Sequence, residues 1–453
     1  MTEEVLGLVT WLGVWCAAVA ILAVVRRWRA TPGSGLVHGY VLFLWSLHWL
    51  GGALYTLPWF QGGDVDVVRQ GLAQSAYAVL ALVFGSVVLA PAALRLRDPA
   101  RAAPAWPAPW RELPGYYVVV GIGSYLLLST LVGRIPTVGS FLVSGQQFVV
   151  VGLCLGCWSA RQAGRSGRIV GLLALAMVLP LVTIVGQGFM GYGAAAAAVV
   201  FVFAAGLLRP RWKVGIVYLI VAYAALSFYV SYMRDRSEIR EVVWGGRSLV
   251  ERLERLTETV VTFEWFDLTN SAHLWLIDTR LNQNVFAGLA ASRLEVTGEY
   301  AYGETLVDAA LALVPRVVWP GKPAIGGSGD LVARYTGLRF AEGTSVGVGH
   351  VLEFYVNFGT AGVVGGFAIL GLLLTMIDVT ARHCLDANDW PGFAVRFVPG
   401  LALLQTGGSI AETLGTVAAS FVTVTILNHL LARWAAMRGA PRLTGVEAFR
   451  HPG

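Results

Sequence analysis

The amino-acid sequence predicts an all-α fold, a polytopic integral membrane helix bundle with about eleven transmembrane helices and one long outer loop. Two observations lead to this class. The 453 residues are 56% hydrophobic and only 13% charged, with a mean hydropathy of +0.65, whereas soluble domains carry about 25% charged residues. Apolar runs of about 20 residues, the length that crosses a bilayer, recur along the chain. Little of the chain remains for a separate soluble domain.

Eight spans are predicted within residues 1–233. The run Ile169–Leu208 is too long for one helix, and its glycine-rich stretch Gly186–Gly193 is predicted to divide it into spans six and seven. The others are Val5–Val25, Leu36–Leu57, Gly71–Leu94, Tyr116–Val132, Val138–Ala160 and Val214–Met233.

Residues 234–346 form the predicted outer loop, which is periplasmic if the membrane is a bacterial inner membrane. Apolar residues at helical spacing predict amphipathic pieces at Leu249–Val260, Leu276–Leu289 and Glu304–Leu313. Spans nine to eleven follow in residues 347–432. The ninth is Gly347–Val379, and Phe393–Ala432 is divided at Gly407–Glu412. Residues 433–453 form a tail.

Arginine clusters follow alternate spans, beginning with Arg26 and Arg95. By the positive-inside rule these short loops face the cytoplasm, which puts the N-terminus and the long loop outside and the C-terminus inside. The net charge of +6 therefore reflects topology and does not indicate nucleic-acid binding. Glu3 and Glu4 precede the first apolar run, which is not the pattern of a cleaved signal.

The cations of the long loop need another explanation, because long loops translocate regardless of charge. Arg316 and Lys322 are pinned by neighbouring prolines, and the chain has only two lysines. Convergent cations at a membrane surface suit a diphosphate. The alternative is that such arginines contact lipid headgroups or pair with loop acids. That alternative is preferred for the arginines from 240 to 255, and the diphosphate role for Arg316 and Lys322.

His350 and Glu353 lie three residues apart at the start of the ninth span, on one helix face. An ionisable residue at this depth is a functional candidate, and Glu353 could take the proton of a sugar hydroxyl. The alternative is a carboxylate that favours a helix N-terminus and a histidine that only packs.

Asp64 and Asp66 form a DxD pattern in an outer loop, as in metal-dependent glycosyltransferases, but a solvated acidic loop is the preferred explanation. Cys154 and Cys157 are interpreted as small apolar residues of a span. The glycine-rich stretches lack the spacing of a nucleotide-binding loop.

Two stretches carry a resemblance to a known family. Val314–Pro323, VPRVVWPGKP, preceded by Tyr302–Leu306, is similar to the PRxxWPxKP signature of Wzy-type oligosaccharide repeat-unit (O-antigen) polymerases. Glu353–Gly362, EFYVNFGTAG, resembles their E-x-Y-x-N-x-G-x-x-G pattern. Gly321 stands where the family often has Asp, and His350 where a small residue is expected.

The resemblance implies a GT-C-like glycosyltransferase of the bacterial inner membrane that works without a metal or nucleotide sugar. Such an enzyme moves a growing glycan from undecaprenyl pyrophosphate to the terminal sugar of a lipid-linked repeat unit. Its partners are these lipid-linked substrates, membrane lipids and a chain-length regulator. By motif position, Arg316 and Lys322 bind pyrophosphate, assisted by Arg334, Arg234 and Arg236. Glu353 is the base candidate, with Glu304 in reserve and His350 beside it.

Three rival functions remain open. The first two are an O-antigen ligase and a polyprenyl-phosphate-sugar enzyme with a metal at Asp64 and Asp66. The third is a transporter of lipid-linked sugars, which would have charges at mid-membrane and two similar halves. The sequence has neither feature, which favours an enzyme.

Overall fold

The computed structural model describes residues 3–29, 32–95, 112–207, 212–314, 319, 321, 327–341, 344 and 346–437. Helices are the regular elements of this part of the chain. They are α1 (Glu3–Trp28), α2 (Leu36–Leu47), α3 (Trp49–Leu54), α4 (Val65–Phe84), α5 (Ala90–Arg95), α6 (Leu113–Leu128), α7 (Pro136–Gln146), α8 (Phe148–Gln162), α9 (Ser166–Ala176), α10 (Leu179–Gln187), α11 (Gly191–Leu207), α12 (Trp212–Trp244), α13 (Leu249–Val261), α14 (Ser271–Leu281), α15 (Asn284–Thr297), α16 (Glu304–Ala312), α17 (Ser328–Thr336), α18 (His350–Asp386), α19 (Trp390–Leu403) and α20 (Ile410–Met437). A π-helical turn, Gly85–Leu89, joins α4 to α5, and a 3-10 turn, Leu131–Arg134, precedes α7.

Seven helical segments in the described residues are long and apolar enough to cross a membrane. They are Glu3–Trp28, Val65–Arg95, Val138–Gln162, Ser166–Gln187, Gly215–Trp244, His350–Asp386 and Ile410–Met437, and Leu113–Leu128 and Gly191–Leu207 are shorter apolar helices. The prediction of a helical chain with several membrane-spanning segments is therefore confirmed for the described residues. The count of eleven stays a prediction.

Several predicted boundaries differ from the observed ones. The break near Gly186–Gly193 is present, because α10 ends at Gln187 and Gly188 takes a left-handed φ of 74°. The predicted second span is two helices that meet at His48. The predicted eighth span ends at Met233, but α12 continues to Trp244 through polar residues that keep helical geometry. In the loop, α17 was not predicted, because its sequence is short and polar.

The core of the bundle is organised around α4, which packs against α1, α15 and α18. Small residues allow the close approach of α4 to α18. A Cβ at Gly85 would lie 2.1 Å from the carbonyl oxygen of Ala368, and one at Gly371 would lie 2.2 Å from that of Leu82. Thr375 also donates to Ser86 Oγ at 2.7 Å. Small residues and hydroxyl pairs are the usual means of packing helices tightly in a membrane.

A buried ion pair joins the end of α1 to the C-terminal part of α18. Arg26 Nη2 lies 2.8 Å from Asp378 Oδ2, and the Asp378 side chain is fully buried. The other carboxylate oxygen accepts from Ser34 Oγ and from the Leu36 amide, each at 2.9 Å. These contacts fix the start of α2 against α18.

Candidate functional site

The helix α18 is interrupted close to its start. Phe358 (φ −144°, ψ 26°) and Gly359 (φ 60°, ψ −150°) leave helical geometry, so residues 350–357 form a separate short helix. The backbone conformation at Gly359 is one that essentially only glycine adopts. The interruption frees the carbonyl of Val356, which accepts from the Ala301 amide at 2.8 Å. The glycine of the E-x-Y-x-N-x-G stretch is thus required by the break.

Asn357 joins this break to the turn that precedes α16. Its Oδ1 accepts from the Gly303 amide at 2.9 Å, and its Nδ2 donates to Thr305 Oγ1 at 2.7 Å. The turn itself carries positive φ angles at Tyr302 (46°) and Gly303 (95°). The segment Tyr302–Leu306 and the segment Glu353–Gly362, which the sequence singled out separately, therefore lie against each other.

Glu353 lies one helical turn before Asn357 and is only 1% exposed. Its Oε2 accepts from the amide of Ile410, the first residue of α20, at 2.6 Å. Its Oε1 is buried and makes no hydrogen bond of good geometry, although the Thr305 hydroxyl is close enough to interact with this carboxylate. Glu412 and Asp308 are close enough to interact with it electrostatically. The structure thus gathers three acids where α16, α18 and α20 pack together.

His350 is buried beside Glu353, and both of its ring nitrogens are bonded within the protein. Nδ1 lies 2.8 Å from Tyr40 Oη, and Nε2 lies 3.1 Å from Thr413 Oγ1. Its backbone amide donates to the Thr406 carbonyl at 3.2 Å. These contacts fit a histidine that joins α2, α18 and α20, and they leave no ring nitrogen free for a substrate.

Glu412 lies at the exposed edge of the acidic group. With Ser409 it forms reciprocal capping bonds at the start of α20, from the Ser409 amide at 3.0 Å and to the Ser409 hydroxyl at 3.1 Å. The Ser328 hydroxyl also donates to Glu412, at 2.9 Å and 3.0 Å to its two oxygens. Sequence reasoning missed Ser328 and its helix α17. The Ser-x-x-Glu spacing at residues 409–412, a capping-box pattern, could have predicted the start of α20.

Glu304 and Arg334 neutralise each other. The guanidinium of Arg334 donates to both carboxylate oxygens of Glu304, at 3.2 Å and 3.1 Å, and the two side chains are 53% and 57% exposed. Hydrogen bonding to Glu304 raises the pKa of Arg334. The reserve base and one of the predicted pyrophosphate ligands are therefore partners in this structure.

Arg234 is neutralised in a similar way. Its guanidinium binds Asp235 at 2.9 Å, and it also pairs with Glu264 and donates to Thr262. Arg236, two residues later, faces a groove between α12 and α14 that has a volume of about 590 Å³. No ion pair of Arg236 occurs within the described part of the chain. Of the two helper arginines predicted here, Arg234 and Arg236, only Arg236 has no acidic partner among the described residues.

The two aspartates of the DxD pattern are bound to their own helix. Asp64 is the N-cap of α4 and accepts from the amides of Asp66 at 2.8 Å and Val67 at 3.3 Å. Asp66 pairs with Arg69 and accepts from Gln70 Nε2 at 2.8 Å. This arrangement is that of a capped helix start.

Arg316 and Lys322, the two principal pyrophosphate candidates, lie outside the described residues. Of the VPRVVWPGKP stretch the structure describes Val314, Trp319 and Gly321. Val314 follows the end of α16, whose first residue is Glu304. In the sequence, the stretch therefore follows directly after α16, the helix that packs on α20 beside Glu353.

The turn between α14 and α15 connects the groove with the acidic group. Gln283, three residues after Arg280, donates from its backbone to the Leu47 carbonyl at 2.9 Å and from its side chain to the Gly347 carbonyl at 3.4 Å. Gly347 lies three residues before His350, the first residue of α18. Arg280 lines the groove, so one short segment contacts both regions.

The fold and these contacts define a class of protein. It is a helical protein with several segments long and apolar enough to cross a membrane, and its polar site lies where the interrupted helix α18 meets the turn before α16. The chain belongs to the family described as "Domain of unknown function (DUF8712)", whose model matches residues 114–438. No curated protein and no solved structure matches the chain. The matched range includes the turn before α16, the break in α18 and the start of α20.

Proposed function

We propose that this protein is a polysaccharide polymerase of the bacterial inner membrane. It transfers a growing glycan from undecaprenyl pyrophosphate to the terminal sugar of a lipid-linked repeat unit at the outer face. One observation carries the proposal. Two of the segments by which the sequence resembles repeat-unit polymerases, Tyr302–Leu306 and Glu353–Gly362, are hydrogen-bonded to each other through Asn357, beside the buried carboxylate of Glu353.

Glu353 is the base in this proposal. Its Oε1 accepts the proton of the acceptor hydroxyl. The oxygen of that hydroxyl then forms the new bond to the anomeric carbon of the growing glycan. The bond from the anomeric carbon to the pyrophosphate oxygen breaks, and the pyrophosphate keeps the electron pair. Because Glu353 is buried, the acceptor has to open the contact between α17 and α20, where Ser328 binds Glu412.

Cations stabilise the pyrophosphate leaving group, so that fixed positive charge replaces a metal ion. Arg316 and Lys322 are assigned this role from the motif, and Arg236 joins them because its charge is uncompensated among the described residues. Arg234 and Arg334 are helpers that must first exchange their carboxylate partners for the ligand. Glu304 is then released from Arg334 and is the reserve base.

The proposed topology is that predicted from the charges. About eleven spans in a GT-C-like arrangement place the N-terminus and residues 234–346 outside and the C-terminus in the cytoplasm. Seven helices of spanning length and the shorter apolar helices support this count in part. A chain-length regulator is the expected protein partner.

The test uses the purified full-length protein in lipid nanodiscs with a lipid-linked repeat unit, and gel separation of the products. A ladder is expected from the native chain, with and without EDTA, and only single-repeat product from the Arg316→Ala and Lys322→Ala variants. The control is Arg247→Ala, since Arg247 is 67% exposed and pairs only loosely, at 3.8 Å, with Glu251.

Each possible result of this experiment distinguishes one alternative function or residue assignment from the proposal. Absence of a ladder with the native chain, while another glycan acceptor is modified, would identify a ligase. Loss of the ladder on chelation, reproduced by Asp64→Asn, would identify the metal-dependent enzyme. Long-chain product from Arg316→Ala and Lys322→Ala would remove those residues from the mechanism.

A further inference from the structure

The groove between α12 and α14 is lined by four arginines. Arg234 and Arg236 come from one turn of α12, Arg240 comes from the next turn, and Arg280 comes from the last turn of α14. The volume of about 590 Å³ is sufficient for a phosphate-bearing group. Of these four, the sequence assigned Arg234 and Arg236 to pyrophosphate binding, and it predicted that Arg240 contacts lipid headgroups or pairs with acids of the loop.

Three of these arginines have no acidic partner in the described residues. Two acids of the same helix are paired with other cations: Asp235 binds Arg234, and Glu238 pairs with Arg255. Glu241, the third acid, forms no ion pair with these arginines in the described residues. Asp278, which precedes Arg280 on α14, accepts instead from Tyr55 and Asn282. Arg236 and Arg240 are four residues apart on one helix face, where like charges repel. A bound anion would remove this repulsion.

Arg240 is held in position by groups other than acids. Its guanidinium carbon lies 4.2 Å from the ring centre of Phe189 and 4.9 Å from that of Trp244. Its Nε donates to the carbonyl of Gly188 at 3.3 Å. The Tyr232 hydroxyl also interacts with this guanidinium. Stacking and these polar contacts fix the plane of the guanidinium, whose remaining N–H donors can bind a ligand. Arg240 is therefore preorganised to bind an oxyanion.

The surroundings of the groove are those of a membrane surface. Met233, Trp275 and Leu276 supply apolar walls beside the arginines. Trp244 and Trp265 are exposed nearby, and Trp265 stacks on Tyr223 with ring centres 5.7 Å apart. Earlier turns of α12 expose aliphatic side chains. Exposed tryptophans above an apolar helix surface are typical of the boundary between bilayer and water.

We propose that this groove binds a phosphate group carried at the end of a lipid, with Arg236, Arg240 and Arg280 as its ligands. The lipid is either an isoprenyl diphosphate or an anionic phospholipid, which share this chemistry. The choice of an isoprenyl diphosphate as a probe rests on the proposed function, whereas the affinity of the groove for a lipid phosphate does not.

The experiment measures binding to the detergent-purified full-length protein without turnover. The probes are a short isoprenyl diphosphate, phosphatidylglycerol and inorganic pyrophosphate. At least tenfold weaker binding of one of the two lipids is expected for Arg240→Gln and for Arg280→Gln. Arg280 is exposed, so its variant keeps the fold, and melting temperatures verify this for both. Arg247→Gln is the matched control and should bind like the native chain.

The lipid whose binding is weakened in the groove variants identifies the molecule that carries the phosphate. Native affinity of both groove variants for both lipids would overturn the proposal, and so would equally tight binding of inorganic pyrophosphate and the lipids. Retained lipid binding by a protein that makes no ladder would reject only the polymerase function. Native binding by the groove variants, with a normal ladder from the native chain, would reject only the groove.

Discussion

The side-chain amide of Asn357 donates to Thr305 Oγ1 at 2.7 Å, and through this bond the broken start of α18 is attached to α16. Asn357 is fully buried and also accepts from the Gly303 amide. Its side-chain amide also donates to the Glu353 carbonyl at 2.7 Å. The position of Glu353, one turn earlier on the same helix, therefore depends on the segment 303–305 that Asn357 holds.

Asn357→Ala is expected to lower the free energy of unfolding by about 2–3 kcal/mol, because the Gly303 amide and the Thr305 hydroxyl lose buried partners. Thermal or denaturant unfolding in detergent measures the loss. A double-mutant cycle with Thr305→Val should give a coupling of about 0.5–3 kcal/mol. Gln162→Ala removes an exposed amide bond and is the control, with an expected effect within about 0.5 kcal/mol. Equal losses of stability in Asn357→Ala and Gln162→Ala would contradict the structural role assigned to Asn357.

Gly359→Ala is expected to destabilise the protein by about 1–3 kcal/mol, since a Cβ is strained at φ 60°, ψ −150°. Gly365 is the matched control in the same long helix, because a Cβ there meets nothing within 4 Å. Gly365→Ala should be neutral or stabilising by up to about 1 kcal/mol. Melting temperatures of the two variants in one detergent compare them directly. A neutral Gly359→Ala would mean that the break is not maintained in the folded protein.

The sequence predicted much of the architecture and only part of the site. Long apolar runs predicted the helical membrane class, because hydrophobicity is a local property of the chain. The break at Gly359 was not predicted, because it depends on bonds from residues 301–305 that are distant in sequence. The pairing of Glu304 with Arg334 was missed for the same reason. Each residue was a candidate by its position near the motif, but their mutual neutralisation is visible only in three dimensions.

Asp378→Ala is expected to cost about 3–5 kcal/mol, because it leaves the buried Arg26 guanidinium without its counter-charge. The same substitution also removes the acceptor of the Ser34 hydroxyl and the Leu36 amide. Asp386→Ala on the same helix breaks an exposed pair with Arg382 and should cost less than about 1 kcal/mol. Denaturant titration in detergent measures both. A small loss for Asp378→Ala would show that water reaches Arg26.

Glu264, between α13 and α14, predicts a pH dependence of stability. The hydrogen bond from His273, at 3.1 Å, and the charge of Arg234 hold the pKa of Glu264 below its ordinary value of 4.5. A depressed pKa in the folded state means that this stabilisation is present above about 4.5 and is lost as the pH falls through the lower, folded-state value. The contribution is at most about 1 kcal/mol, because the side chain is half exposed.

Glu264→Gln should therefore melt at a lower temperature than the native chain at about pH 7, and the difference should shrink as the pH falls below about 4.5. Glu258→Gln, which changes another exposed acid of the loop, controls for general charge effects. A difference between native and variant melting that grows toward acid pH would have the wrong sign and would contradict the assigned bonds.

Glu353→Gln separates the chemical role of this residue from its structural one. The amide oxygen of glutamine can still accept from the Ile410 amide, so the start of α20 and the melting temperature should be preserved. Glutamine cannot take a proton, so ladder formation should fall by about 10²–10⁴-fold, the usual contribution of a general base. Glu304→Gln should keep the ladder if Glu353 is the base. A normal ladder from Glu353→Gln together with its loss in Glu304→Gln would transfer the role to the exposed acid. In that event the burial of Glu353 serves only to hold α18 against α20.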